Sequence, residues 1–464
     1  MSPTKTQGLP KFPPASQPDS ALAAAKTAPH RPEPPEPWAQ QASQQPAPQA
    51  PKPTPKPAVK PAPSQTLHSL PHRADPWLFA AVLCLCGLGL VMVYSSSAVL
   101  AQQKLGDSRF FVLRDLIWLL LGLTGMAVAM RVDYSVYRRF AYPILGLATG
   151  LLGLVLLVGV RVNGAKRWFH LGPLSFQPAE LAKVALIVFL AHVLAKKADR
   201  VSQFVMGILP PLFVCGLFCG LLALQPDLGT AMIVGATTMV LLFVAGARIG
   251  YLVMAGLAAL PILYHAVVGT PWRLRRILAF LDPWQFRDTV GYQIASSLIA
   301  VGSGGIWGQG LGDSRQKLLF LPEAHTDYIL AIVGEELGFV GLSLVIGLYA
   351  LLVVRGCLIA QRARDAFGLY LAAGLTAMFG LQASFNMGVV LGVLPTKGLT
   401  LPLISFGGST LVIDLCALGI LFNISRGEPA PVQKKKKRAR LSALLHKQKN
   451  RRRADLPNPP GVAP

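Results

Sequence analysis

Runs of about twenty apolar residues recur along this chain, separated by short segments rich in Gly, Pro and Arg, and that spacing leaves few folds open. A helix of about twenty residues spans a hydrocarbon core of roughly 30 Å. In such a solvent each backbone N–H and C=O must find its partner within the protein, so spanning segments are helices or closed barrels. Barrel strands would show short alternating segments, and these runs do not alternate. Hydrophobic residues make up 52% of the chain and charged residues 14%, with a mean hydropathy of +0.48. That is less charge than a water-soluble domain of this length carries. The fold class is therefore an all-α polytopic membrane protein.

The pattern predicts ten membrane helices, at about 77–100, 110–131, 140–160, 179–196, 206–224, 229–247, 250–268, 326–354, 367–393 and 403–425. One large extracytoplasmic loop joins the seventh to the eighth. Three regions follow: a proline-rich cytoplasmic tail over 1–76, a membrane domain over 77–425 and a basic cytoplasmic tail over 426–464. The first holds 20 of the 38 prolines, lacks the apolar residues for a core and is expected to stay extended. It is too long and too polar to be a signal peptide.

Of the net charge of +23, the two tails contribute +4 and +10. The run Lys434 to Arg438 beside a final span reads as a segment drawn to anionic lipid, rather than to nucleic acid. Placing the N-terminus inside makes the connections Arg131–Arg139, Lys196–Arg200, Arg248 and Arg355–Arg364 cytoplasmic, in keeping with the positive-inside rule. The cations that break the rule are more informative. Arg161, Lys166 and Arg167 fall in one outer connection, and Arg273, Arg275, Arg276, Arg287, Arg315 and Lys317 in the large loop. Clustered there, they suit an anionic group such as a lipid-borne phosphate, or they pair with Asp282, Asp288, Asp313 and Glu323 of the same loop. The six cysteines lie in or beside apolar runs and form no paired CxxC spacing.

Four outer segments hold nearly all the remaining unusual polar residues. The first, NGAKRWFHLGPLSFQPAELAK, opens on an Asn163-Gly164 turn, carries the interfacial Trp168, and places Glu180 and Lys183 at i, i+3 on a helix. The second is the proline-broken turn QPDLGT with Asp227. The third ends in PEAHTDYILAIVGEE, which sets Asp327 at the edge of an apolar run, His325 just before it, and Glu335 and Glu336 within it. Acids in a membrane segment are costly and default to a functional hypothesis. The fourth is LPTKGLTLPLISFGGST, where Pro and Gly interrupt a span and leave Lys397 near its outer end.

In this order and spacing the four segments resemble the SEDS family (shape, elongation, division and sporulation proteins) over about residues 77–425. PTKGLTLPLISFGGS and PEAHTDYILAIVGEELG are closer to its cell-division branch than to its elongation branch, although Phe406 stands where many relatives carry Tyr. The resemblance implies an inverting glycosyltransferase that polymerises lipid II into glycan strands at the outer face of the bacterial inner membrane, at the division septum. It implies Asp327 as the essential carboxylate. Glu180 and Lys183 match a family acid and base, Lys166, Arg167 and Trp168 a basic turn, and Lys397, Ser405 and Ser409 an outer segment. It implies a class B penicillin-binding transpeptidase of the FtsI type and other divisome proteins as partners, beside lipid II, the nascent strand and the membrane.

The chemistry asks for a base on the acceptor 4-hydroxyl and cations at the leaving pyrophosphate. Asp327 is the candidate base, with a helix cap or an arginine partner as the plain structural alternative. Arg273, Arg276 and His325 join the candidate substrate-binding set. Glu180 with Lys183 reads as a structural or acceptor-site pair, Asp227 as a turn residue, and Glu335 and Glu336 as acids meeting a basic partner inside the bundle. No cofactor is encoded; a divalent cation on the pyrophosphate fits the chemistry, but no ligand cluster specifies one. A lipid II flippase and a non-catalytic divisome scaffold stay open as alternatives, because helices with buried acids serve a transporter equally well.

Overall fold

The computed structural model describes residues 74–427 apart from positions 163, 173 and 319. The readings of the proline-rich arm and basic tail, Asp75 and the residues at 426–427 aside, and of the Asn163 turn, lie outside the described residues. The chain forms α1 (Pro76–Leu105), α2 (Phe110–Ala129), α3 (Ser135–Arg139), α4 (Ala141–Val158), β1 (Val160–Val162), β2 (Ala165–Leu171), β3 (Leu174–Phe176) and α5 (Pro178–Lys196). There follow α6 (Leu209–Leu224), α7 (Leu228–Val244), α8 (Ile249–Val268), α9 (Pro271–Leu281), α10 (Tyr292–Ser303), α11 (Ile329–Gln361), α12 (Ala366–Val390) and α13 (Ser409–Ser425). A π-helical turn, Phe204–Ile208, leads into α6.

Among the described residues eight helices, α1, α2, α4, α5, α6 with its π turn, α8, α11 and α12, are long and apolar enough to cross a membrane, and α7 and α13 are shorter apolar helices. The chain is a polytopic helical membrane protein. The small antiparallel sheet β1-β2-β3 is a feature that apolar periodicity did not predict. Its register pairs Val160 with Trp168 and Phe169 with Phe176. Strands so short and polar carry little alternation, and pairing fixes them instead.

Helix starts follow their local chemistry. Proline occupies the first turn of α1, α5, α6 and α9, where its missing N–H costs nothing. Asp75 caps α1 by accepting from Trp77 and Leu78 N–H, and Asp227 caps α7 by accepting from Thr230 N–H at 3.1 Å and Thr230 Oγ1 at 2.9 Å. The Asp75 carboxylate also holds Arg355 of α11, through Nε at 2.9 Å and Nη2 at 2.5 Å. This ties the start of α1 to the far end of α11. Asp365 caps α12 and accepts from Tyr134 Oη at 2.9 Å at the same end of the bundle.

The long helix α11 is broken at Gly338, whose φ of +65° only glycine adopts without strain. The break frees backbone groups inside the bundle, and the Gly-rich segment after α10 takes them up. Gln309 and Gly310 N–H donate to Glu335 and Glu336 C=O at 2.9 and 3.1 Å, while Phe339 and Val340 N–H donate to Gly305 and Ile306 C=O at 2.9 and 3.2 Å. The approach is close: a Cβ on Gly338 would meet Gly308 N at 2.4 Å. The two acids just before the break are also satisfied. Glu336 pairs with Lys317 Nζ at 2.9 Å and accepts from Ser95 Oγ of α1 at 2.6 Å. Glu335 accepts from Ser314 Oγ and from the backbone N–H of Arg315 and Gln316. The expected basic partner is thus present for Glu336, whereas Glu335 is held by hydrogen bonds from the loop.

Breaking one side of a buried ion pair leaves an uncompensated charge and costs about 3–5 kcal/mol, whereas replacing both sides is often neutral. Lys317→Met and Glu336→Gln are each expected to destabilise the protein strongly, and the Lys317→Met/Glu336→Leu double variant to recover most of the loss. Thermal unfolding in detergent checks this. Additive losses in the double variant would contradict it.

Candidate functional site

Asp327 lies in the loop that precedes α11, two residues before its first turn, and is partly exposed. The fourth sequence motif and helix α12 fasten this loop. Ser405 Oγ donates to Thr326 C=O at 2.5 Å and accepts from Leu401 N–H at 2.9 Å. Phe406 N–H donates to His325 C=O at 3.0 Å. Asn386 Nδ2 of α12 donates to Asp327 C=O at 2.8 Å and Leu399 C=O at 2.6 Å. Gly398 lies directly against the carboxylate, where a Cβ would come within 2.9 Å of Asp327 Oδ2. Among the described residues the Asp327 carboxylate itself accepts no hydrogen bond.

The cations gather around it from separate elements. Arg167, on β2, donates from Nε to Gln225 C=O at 2.9 Å and from Nη2 to Pro226 C=O at 2.6 Å. It thereby satisfies carbonyls that the proline-broken turn leaves free. Arg273 and Arg276, on α9, stack over Trp272 with their guanidinium carbons 5.0 and 5.1 Å from the ring centre. Arg273 Nη1 also donates to Ala266 C=O at 2.8 Å. Lys397 lies beside the Phe385 ring at 5.9 Å.

Electrostatics joins these groups into one site. Burial pushes Asp327 up to about 7; the Glu323 and Asp227 carboxylates add to the rise, and Arg276 and Arg167 oppose it. Burial pulls Lys397 down to about 8, against the pull of Asp227 and with the push of Arg273. An acid and a base brought toward neutrality beside arginines are what a proton-transfer site requires.

The other predicted residues are placed differently. Lys166 Nζ donates to Leu156 and Leu157 C=O at 3.3 and 2.9 Å and so caps the end of α4 instead of joining the arginines. Trp168 is partly buried on β2. The His325 ring packs 5.0 Å from Phe111 and 5.9 Å from Phe406, and burial lowers its pKa, so it is a neutral aromatic wedge. Phe406, in place of the expected tyrosine, completes that cluster at 5.5 Å from Phe111. Ser409 Oγ accepts from Gln177 N–H at 3.2 Å, joining α13 to the start of α5. Glu180 and Lys183 form a buried pair at 2.8 Å, and Lys183 donates to Gln382 Oε1 at 2.7 Å. Asp282, Asp288, Asp313 and Glu323 form no ion pair with the loop arginines among the described residues. No group of three or more His, Cys, Asp or Glu able to hold a metal occurs among the described residues.

Gln382 and Asn386 were not among the residues expected from sequence. The signal was there: two amides at i, i+4 within an apolar span.

With Lys397 near 8, this amine is expected to be modified by an amine-selective reagent at pH 8 well before an ordinary lysine. Asp227→Asn removes an attraction for its charged form, lowers its pKa further and speeds that modification. Peptide mapping over pH 6–10 reads both effects, and an unchanged profile in Asp227→Asn would contradict the coupling.

Residues 76–429 match the cell cycle protein family that groups FtsW, RodA and SpoVE. A probable peptidoglycan glycosyltransferase FtsW of Trichlorobacter lovleyi is 46% identical over 355 residues, covering 76% of this chain and 93% of the relative. Stage V sporulation protein E of Bacillus subtilis is 42% identical over 354 residues, covering 76% and 97%. Among solved structures, one from a peptidoglycan synthase complex that coordinates polymerization and crosslinking aligns with a TM-score of 0.63 at 33% identity, covering 76% of this chain and 98% of that one. The rod shape determining protein RodA of Thermus thermophilus aligns with a TM-score of 0.58 at 32% identity, covering 76% and 97%. This chain belongs to the FtsW/RodA/SpoVE family, the SEDS proteins.

Proposed function

We propose that this SEDS protein is a peptidoglycan glycosyltransferase that polymerises lipid II into glycan strands, with Asp327 as general base. The observation that carries the reading is an unpaired carboxylate, pushed up to about 7, held by the fourth motif and α12 with Arg276 and Arg167 acting on it. Likeness to relatives named peptidoglycan glycosyltransferase FtsW supports the activity and a role in division.

The reaction joins an acceptor 4-hydroxyl to the anomeric carbon of a sugar carried on a polyprenyl diphosphate. Asp327 takes the hydroxyl proton as the oxygen attacks from the face opposite the diphosphate, and the centre inverts in one displacement. Positive charge from Arg167, Arg273, Arg276 and Lys397 stabilises the departing diphosphate. Trp168 and Lys166 flank the arginine on β2, and Glu180 with Lys183 stiffens the start of α5. A divalent cation that binds the diphosphate itself is compatible with this arrangement.

The protein sits in the bacterial inner membrane at the septum, with both termini cytoplasmic and the Asp327 end outside. Its partner is a class B penicillin-binding transpeptidase of the FtsI type, working with other divisome proteins. The synthase complex among the structural neighbours supports this pairing.

Purified protein with its partner is expected to polymerise labelled lipid II, and folded Asp327→Asn to lose at least a hundredfold in rate, within the 10²–10⁴ typical of a general base. The base works deprotonated, so kcat/KM rises about tenfold per pH unit up to about 7 and then levels. Arg276 lowers the Asp327 pKa, so Arg276→Ala moves that limb to higher pH. Polymerisation retained in folded Asp327→Asn would overturn the assignment. Lipid movement across vesicles that survives this substitution, without polymerisation by the wild type, would instead indicate a flippase.

A further inference from the structure

Helix α12 carries two amides one turn apart on a buried face, Gln382 and Asn386, each about 1% exposed. Burying an amide is unfavourable unless its polar atoms are matched. Gln382 Oε1 accepts from Lys183 Nζ at 2.7 Å and its Nε2 donates to Thr400 C=O at 3.2 Å. Asn386 Nδ2 donates to Leu399 C=O at 2.6 Å and to Asp327 C=O at 2.8 Å. Its orientation is forced, because the flipped amide would press Oδ1 against two carbonyl oxygens. Among the described residues Oδ1 has no hydrogen-bond partner, so the contribution of Asn386 to this site is donation.

We propose that Asn386 is the positioning residue for Asp327, and that Gln382 links the Lys183–Glu180 pair to the same segment. The inference rests on the reading of Asp327 as base. Asp327 sits in a loop and its carboxylate makes no hydrogen bond among the described residues, so its backbone sets where the carboxylate lies. The carbonyl of that same residue is held by Asn386, and the preceding carbonyl by Ser405. Both ties run to the segment 397–405, which also carries Lys397 and Gly398. One NH₂ group fixes base and lysine segment relative to each other, and a displacement of about 1 Å at a reacting group can cost on the order of 10²-fold in rate. The residue type is explained too: only a primary amide puts two N–H donors on one short side chain. Aspartate has the same shape and, ionised, no donor.

The experiment measures kcat, KM for lipid II and the pH profile of full-length Asn386→Asp and Asn386→Ala, per folded protein, beside Asp327→Asn. Both Asn386 variants are expected to lose at least tenfold in kcat with KM within about threefold. The acidic limb of Asn386→Ala is expected to move below the wild-type position as the loosened loop admits water to the carboxylate, whereas Asn386→Asp adds a like charge beside Asp327 and moves the limb higher. If Asn386→Asp does not fold, Asn386→Ala, which brings no charge, is scored alone. Wild-type kcat and pH limb in a folded variant would overturn the proposal, as would activity lost only in proportion to folded protein with an unmoved limb. Polymerisation by Asp327→Asn would instead remove the base reading, whatever the Asn386 variants do.

Discussion

Backbone polar groups cannot be left unpaired within a bilayer, and the organisation of this protein turns on the place where it interrupts a helix there. At Gly338 the α11 ladder opens, and residues 305–310 supply the missing partners in both directions. That exchange makes the Gly-rich segment part of the wall of α11 instead of a loose connection. It also brings Lys317 into the bundle against Glu336 and Ser95. Without the break there would be no site for the segment, and without the segment the break would be prohibitive. The first turns of α11, and hence the depth of the loop that carries Asp327, are set by this mutual satisfaction.

The same logic recurs at the Asp327 end. Carbonyls freed by Pro226 are taken by Arg167, those of the irregular 399–400 stretch by Asn386 and Gln382, and that of Thr326 by Ser405. Residues that look from sequence like substrate ligands are thus partly engaged in holding irregular backbone. Arg167 does both, since a guanidinium that bonds two carbonyls keeps its charge and still acts on Asp327. The cations lower the Asp327 pKa without prevailing, because burial and the two neighbouring acids outweigh them. Were an arginine in direct contact with the carboxylate, the balance would tip and the base would be too weak near neutral pH.

Much of this was legible beforehand, for identifiable reasons. Long apolar runs give membrane helices directly, and the Glu180–Lys183 pair follows from i, i+3 spacing. Asp327 stood out as an acid at an apolar boundary. What was not legible depends on contacts between segments far apart in sequence. The strands of the small sheet over 160–176 are too short to show alternation. Lys166 and Arg167 are neighbours with the same chemistry, yet alternation along β2 sends one to the end of α4 and the other to the Gln225–Pro226 turn. Glu335 and Glu336, also adjacent, find a loop backbone and a lysine respectively. Gln382 and Asn386 show in sequence only as two amides at i, i+4 in an apolar span, and their role depends on partners at 183, 327 and 399–400 that the spacing does not name.

The resulting site has two unequal halves. Asp327, Arg167 and Lys397 lie on segments tied to α5, α6, α7 or α12 by side-chain hydrogen bonds or close packing. Arg273 and Arg276 lie on α9, which buries only Ala279 and follows α8, a helix that buries no residue at all. A group that moves a proton depends steeply on distance and alignment, whereas charge stabilisation of a diphosphate falls off only gradually with separation. The division of labour therefore matches the physics: the proton-accepting carboxylate sits in the cross-braced half, and the long-range electrostatic work is shared with the half that has the fewest contacts to hold it.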